Sequence, residues 1–261
     1  TETILSNCPH CGNQSLETKG YGTEKIEEEI QTLFPDAVVA RMDLDTARSK
    51  NSYERIIADF EQKKIDILVG TQMISKGLDF EHVSLVGILN ADNMLNYPDF
   101  RAHERAYQLM AQVSGRAGRK NKQGTVILQT SDVNHPIVKQ VIGNDYKAMF
   151  AMQMHERYTF KYPPYFRLIY IMLKHKELAL LNRAAGTMAT ELRAVFGFRV
   201  LGPDNPPVLR IQNLYLKRIM LKIESDSSNE KAKELIRAVT TKILSSDRFK
   251  SLQIQWDVDP M

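Results

Sequence analysis

From Glu24 to Leu128 short apolar runs take turns with segments of helical periodicity, and no other feature of the sequence restricts the fold as much. Ile26, Ile30 and Leu33 mark a helix from Glu24 to Phe34, with Thr23 as N-cap and Pro35 as the stop. Val38 to Met42 follows as a buried strand. Tyr53, Ile56, Ile57 and Phe60 give a helix over 52–63, which leads into a strand over 65–69. A strand over 83–89 precedes a helix over 100–117, with Ala106, Leu109, Met110 and Val113 on one face, and 125–128 closes the series as a strand. Short strands linked by helices need crossover connections, so the first half is α/β with a mostly parallel sheet covered on both faces.

Near residues 144–165 this rhythm changes. A helix rich in Met and aromatic residues (Tyr146, Met149, Phe150, Met154) ends at Tyr162-Pro163-Pro164. Beyond it come a strand over 167–173 and a helix with Leu178, Leu181, Ala185, Met188, Leu192 and Val195 as its packing face. Pro203, Pro206 and Pro207 then precede a strand pair over 208–212 and 215–223. A helix over 229–244, with Ala232, Leu235, Ile236, Val239 and Ile243 inward, and a strand over 252–258 complete the chain. The order β-α-β-β-α-β is that of a split βαβ sandwich. The expected organisation is thus a segment at 1–18, an α/β domain at 19–147 and a smaller α+β domain at 148–261.

With 43% hydrophobic and 25% charged residues the chain is neither disordered nor collagen-like nor a coiled coil. It has no apolar run long enough for a membrane span and no signal-peptide layout, so a cytoplasmic location is expected. Thr1 stands where an initiator methionine would, which suggests a processed chain or a fragment. The net charge of +4 hides an asymmetry: residues 1–146 hold 16 Lys/Arg against 20 Asp/Glu, whereas 147–261 hold 19 against 11. A basic second half fits a polyanionic partner such as nucleic acid, or simply a solvated basic surface.

Four stretches carry chemistry. Gly70 and Thr71 follow a strand directly, at the carboxyl edge where parallel sheets place ligand loops, and there a hydroxyl and free N–H groups suit a phosphate oxygen; a ligand-free turn is the plainer reading. In Gln112-Val113-Ser114-Gly115-Arg116-Ala117-Gly118-Arg119, two guanidinium groups lie between glycines at a helix end. Guanidinium clamps phosphate oxygens in bidentate fashion, and an arginine that stabilises a transferring phosphoryl group recurs in nucleotide hydrolysis. Cys8-Pro9-His10-Cys11 has zinc half-site spacing, but structural zinc wants four ligands, so the pair is either left as thiols or completed by another chain. In the basic half Arg210, Tyr215, Lys217, Arg218 and Lys222 combine phosphate-seeking charge with a ring able to stack on a base, and so are candidate DNA-binding residues.

The stretch from Gly70 to Phe80 resembles motif V, and that from Gln112 to Arg119 motif VI, of superfamily 2 helicases. Asp99-Phe100-Arg101-Ala102-His103-Glu104-Arg105, the Cys-Pro-His-Cys-Gly that leads to Gly22-Thr23-Glu24, and the terminal Trp256-Asp257-Val258-Asp259-Pro260 resemble the PriA (primosomal protein N′) family of bacterial replication-restart helicases. The resemblance implies a second RecA-like motor lobe followed by the family's C-terminal domain. It gives Arg116, Arg119 and Gln112 to catalysis at ATP, Asp79, Gly77 and Gly115 to nucleotide contact, and Gly70, Thr71 and Gln72 to the DNA backbone. It further implies 3′-to-5′ movement, ATP and Mg2+ in the intact protein, zinc at Cys8 and Cys11 with further cysteines upstream, and branched and single-stranded DNA, the single-stranded-DNA-binding protein and primosome proteins as partners. No Gly-Lys dipeptide occurs among the 261 residues and no metal-binding acidic box is present, so the chain alone is expected not to hydrolyse ATP. The reading from another class is a non-catalytic DNA- or protein-binding module on a RecA-like scaffold.

Overall fold

The structure, a computed structural model, describes residues 22–46, 50–71, 74, 82–115, 117 and 124–260. The described chain divides into two compact units, one reaching Tyr97 and resuming over Ala102–Asn144, the other made of Pro98–Arg101 and Asp145 onward.

The first unit holds two parallel strand pairs. Strand β1 (Val39–Met42) pairs with β2 (Ile67–Gly70), and β3 (Leu85–Ile88) with β4 (Thr125–Leu128). In chain order α1 (Thr23–Leu33) precedes β1, α2 (Lys50–Glu61) joins β1 to β2, α3 (Asp92–Leu95) and α4 (Ala102–Ser114) lie between β3 and β4, and α5 (Pro136–Ile142) follows β4. The expected mostly parallel sheet is therefore seen as two separate pairs among the described residues. Thr23, expected as an N-cap, is instead the first helical residue, and its hydroxyl serves Asp43 in place of the helix end. Helix α4 buries Ala102, Ala106, Tyr107 and Met110, whereas Leu109 and Val113 are only half-buried, so its inner face is rotated from the expected one. Helix α5 escaped the sequence reading. Its signal is His135-Pro136, where His135 Nδ1 accepts from Ile137 N at 3.2 Å and Pro136 occupies the first turn, where its missing N–H costs nothing.

The second unit begins with α6 (Tyr146–Thr159). Asp145 caps it, its carboxylate accepting from Ala148 N at 2.9 Å. This helix turns Met149 and Gln153 inward, while Tyr146 and Phe150 stack on each other on the exposed side. There follow β5 (Phe166–His175), α7 (Leu178–Phe196), β6 (Val200–Asp204), β7 (Arg210–Ile211), β8 (Leu214–Glu224), α8 (Asn229–Leu244) and β9 (Gln253–Val258). The sheet is antiparallel, in order β6-β8-β5-β9, with the short β7 paired to β8. Ile169, Ile171 and Leu173 of β5 and Ile219, Leu221 and Ile223 of β8 meet Leu181, Ala185, Met188 and Leu192 of α7 and Ile236, Val239 and Ile243 of α8 in one apolar core. Ser228 caps α8 by accepting from Lys231 N at 3.3 Å.

Strand β6 corrects the sequence reading, which set the strand before the hairpin at 208–212. The longer pairing partner of β8 is Val200–Asp204, and only Arg210–Ile211 of the expected segment is strand. Pro203 argued against a strand there. It is accommodated because β6 is an edge strand whose register shifts between Leu201 and Asp204, so the missing N–H breaks no central ladder.

Candidate functional site

In the first unit the polar side chains gather at the carboxyl ends of the parallel strands. Just past β1, Asp43, only 7% exposed, accepts from Thr23 Oγ1 at 2.5 Å and from the Asp45 and Thr46 N–H groups, each at 2.9 Å. Arg41 Nε lies 3.5 Å from Asp43 and 3.5 Å from Glu27. The hydrogen bond from Thr23, ahead of those from the turn, lowers the Asp43 carboxyl to about 2. Beside it, β2 ends at Gly70, where an added Cβ would overlap the Met42 carbonyl and approach Ile74 Cγ1 at 2.7 Å. Gly70 is thus demanded by close packing of the two strand ends. Thr71 is exposed, and its carbonyl accepts from Ile74 N at 3.1 Å. Past β3, Asp92 accepts from Thr130 Oγ1 at 2.6 Å and Ser131 N at 2.8 Å, hydrogen bonds that hold its carboxyl below the usual range and tie the ends of β3 and β4 together.

Gln112 is exposed near the end of α4, and Gly115 follows with its N–H on the Ala111 carbonyl at 3.0 Å. A Cβ at Gly115 would meet only ordinary contacts, at 3.5 and 3.6 Å. Packing therefore does not require glycine there. Arg116, Arg119, Gln72, Gly77, Asp79, Cys8 and Cys11 lie outside the described residues. Among the described residues no group of His, Cys, Asp and Glu could hold a metal, and no helix is long and apolar enough to cross a membrane.

The five candidate DNA-binding residues of the second unit do not form one patch. The β5–β8 register sets Lys217 opposite Leu173 and Tyr215 opposite His175, whereas Arg218 lies opposite Met172 and Lys222 opposite Leu168. Alternation puts Tyr215 and Lys217 on the helix-covered face with Ile219 and Leu221, and Arg218 and Lys222 on the other. Arg210 pairs with Tyr215 in register, and its guanidinium lies 4.9 Å from that ring. Arg218 binds Asp204 at 2.6 Å and lies over Tyr170 at 4.9 Å. Lys222, 9% exposed, donates to the Phe160 carbonyl at 2.6 Å and sits 3.5 Å from the centre of the Tyr162 ring. Burial, and secondly Lys161, lowers its amine to about 8.

No pattern along the chain points to the layer these residues enter. Phe100 stacks on Tyr162 at 4.6 Å with planes 9° apart, and the guanidinium groups of Arg101 and Arg157 lie 4.7 and 5.2 Å from its centre. Arg101 also donates to the Pro260 carbonyl at 2.6 Å. The segment Pro98–Arg101 is therefore built into the second unit. Only its alternation of ring and guanidinium with Tyr162, not any sequence spacing, could have announced it.

Comparison with known proteins agrees with the tandem arrangement. The family of the helicase conserved C-terminal domain matches residues 21–121, and the primosomal protein N C-terminal domain matches residues 159–261. The replication restart protein PriA of Bacillus subtilis is 36% identical over 99% of this chain and 32% of its own length. The PriA of Treponema pallidum is 36% identical over 100% of this chain and 39% of its own length, and that of Synechocystis 34% identical over 97% and 30%. The chain spans about a third of the length of these curated relatives. Two domain matches in one order, with relatives similar along nearly the whole chain, place it in the PriA family, as the portion that carries the helicase C-terminal domain and the primosomal protein N C-terminal domain.

Proposed function

We propose that this chain is the C-terminal portion of an ATP-dependent DNA helicase of replication restart, in which the first unit works as the second RecA-like motor lobe and the second unit, a split βαβ sandwich, engages DNA. The observation that carries the reading is the tandem match of helicase and primosomal domains along a chain similar to PriA proteins over nearly all of its length.

In this reading Arg116 and Arg119 face the ATP phosphates and neutralise charge that grows on the transferring phosphoryl group. Gln112 sits at the γ-phosphate side, while Gly115 and, from the motif V side, Gly77 and Asp79 border the nucleotide. Open backbone at Gly115 supports such an approach. Thr71 and Gln72 contact the DNA backbone, with Gly70 the packing residue that fixes where that loop leaves β2. ATP with its Mg2+ supplies the phosphoryl chemistry. No residue of this chain is assigned to the metal, because the sequence lacks the phosphate-cradling Gly-Lys loop and the acidic box. Cys8 and Cys11 supply half of a zinc site that other cysteines of the intact protein complete. Movement is 3′-to-5′, in the cytoplasm, with the single-stranded-DNA-binding protein and primosome proteins as partners.

Replacement of Arg119 or Arg116 by Ala in the intact protein tests this. DNA-stimulated ATP hydrolysis is expected to fall at least about a hundredfold with DNA binding preserved. Undiminished hydrolysis would falsify the motor reading and leave the domain pair as a non-catalytic binding module. DNA-stimulated turnover by the present chain alone would overturn the division of labour between lobes.

A further inference from the structure

Where α6 runs into β5, a cavity of about 290 Å³ opens within the second unit, lined by Phe160, Lys161, Phe166, Phe198, Arg199 and Lys222 among others. Its size is at the lower end for ligand sites and suits one ring system rather than an extended chain. Three cations border it. Arg199 is neutralised by Glu224 at 2.7 Å, whereas Lys161 and Lys222 have no carboxylate within ion-pair distance among the described residues. Lys161 is held with its ammonium 4.6 Å from the centre of Phe198 and 5.9 Å from that of Phe166, and Arg199 lies over the same Phe198 ring at 5.2 Å. Phe198 thus organises the cations. Phe160 plays a different part: it is 62% exposed, and no ring or cation packs on its face among the described residues. An exposed ring beside two ammonium groups that have no carboxylate within ion-pair distance among the described residues suits a ligand that is flat at one end and anionic at the other.

We propose that this cavity takes one nucleotide of single-stranded DNA, its base stacked on Phe160 and its phosphate drawn by Lys161 and Lys222. The proposal rests on the reading of the family as one that handles DNA, and it names a contact surface which that reading does not assign. Nucleic acid is favoured over an acidic peptide because a nucleotide carries both a flat base for the exposed Phe160 ring and a phosphate for the lysines, whereas an acidic side chain offers a carboxylate and no face to stack. The lowered amine of Lys222 agrees, since a phosphate between it and Lys161 would remove the repulsion that adds to the cost of burial. The residues expected from the sequence to bind DNA overlap this site only at Lys222.

Fluorescence anisotropy of the 261-residue chain with labelled oligothymidylate tests the proposal. The variants are Phe160→Ala, Phe160→Leu and Lys161→Ala, with Lys233→Ala on the exposed side of α8 as the control. Both Phe160 variants are expected to bind roughly tenfold more weakly, because leucine keeps apolar bulk but offers no face for a base. Lys161→Ala should reduce the slope of log affinity against log salt by about 0.7, the share of one phosphate contact on a single strand. Lys233→Ala should change neither. Wild-type affinity in Phe160→Leu, an equal loss of duplex binding in both Phe160 variants, or displacement of the oligomer by polyglutamate as readily as by unlabelled oligothymidylate would each overturn it. None of these readouts involves ATP, so failure here leaves the arginine test of the motor reading untouched.

Discussion

Replacing Asp43 by Asn probes the carboxyl end of β1, where the first unit concentrates its buried charge. The carboxylate accepts four hydrogen bonds, from Thr23 Oγ1, the Asp45 and Thr46 amides and Thr46 Oγ1, and lies 3.5 Å from Arg41 Nε. Asparagine keeps one acceptor but turns a donor toward the Arg41 guanidinium. The folded carboxyl stands at about 2 against an ordinary value of 3.8, a difference that corresponds to about 2 kcal/mol. Solvent reaches the outer members of the cluster and screens it, so about 1 to 2 kcal/mol should be observed. The sign follows from proton counting. Between pH 4 and pH 2 the unfolded chain binds the proton more readily, so the contribution is full above pH 4 and disappears as the folded group titrates near 2. Hydrogen exchange of the α1 and β1 amides, compared between wild type and Asp43→Asn, should therefore show the difference at pH 7 and its loss at the acid end. Trp256, the single tryptophan, half-buried against the core of the second unit, provides an internal control whose fluorescence should be indifferent to the change. A difference that persists unchanged to pH 2, or none at pH 7, would refute the account of Asp43 as a hydrogen-bonded anion.

Four further changes follow from the geometry. Gly70→Ala should destabilise the first unit by roughly 1 to 3 kcal/mol, because the methyl overlaps the Met42 carbonyl and crowds Ile74, and a gain in the urea midpoint would contradict this. Arg218→Ala, which strips Asp204 and Tyr170 of their partner, should lower the unfolding free energy of the second unit, followed by Trp256, by about 1.5 to 3 kcal/mol, whereas Arg210→Ala, with one exposed ring contact, should cost under about 1 kcal/mol; equal effects would mean that the pairing seen here is idle. Since the Lys222 amine is lowered from 10.5 to about 8, the unfolded chain holds more protons between those values, and stability should rise with pH across that window; Lys222→Met should flatten the rise, which urea midpoints at successive pH values measure.

What the sequence disclosed depended on the range of the interaction. Helical periodicity is local, and it located α7 and α8 together with most of their buried faces, including Leu181, Ala185, Met188, Ile236, Val239 and Ile243. The exceptions were at ends: Leu178 and Val195 fit the period but are exposed, and at the C-terminal end it is Phe196 that turns into the core. Alternation within β8 was equally local, and it separated Ile219, Leu221 and Ile223 from Arg218, Met220 and Lys222 as the register confirms. Strand β6 was lost because proline is judged by its effect on a central strand, and edge position is set only once all partners are known.

The candidate site suffered from the same dependence on distance along the chain. Arg210, Tyr215, Lys217, Arg218 and Lys222 lie within thirteen residues and looked like one basic surface, yet a period of two sends neighbours to opposite faces. Charge near in sequence was taken for charge near in space. A second cluster is hidden for the opposite reason. Lys161, Phe198, Arg199 and Lys222 come from three separate parts of the chain, and only the antiparallel order β6-β8-β5 brings the start of β5, the approach to β6 and the end of β8 to one end of the sheet. Phe100 and Arg101 make the point most strongly. Four residues between two segments of the first unit are committed to the second by one stacked ring and one hydrogen bond to Pro260, so the path of the chain here crosses the division that its composition suggested. Exchange of residues 98–101 for glycine and serine should accordingly lower the stability reported by Trp256 in the second unit rather than that of β1 and β2, and the reverse result would return these residues to the unit that flanks them in sequence.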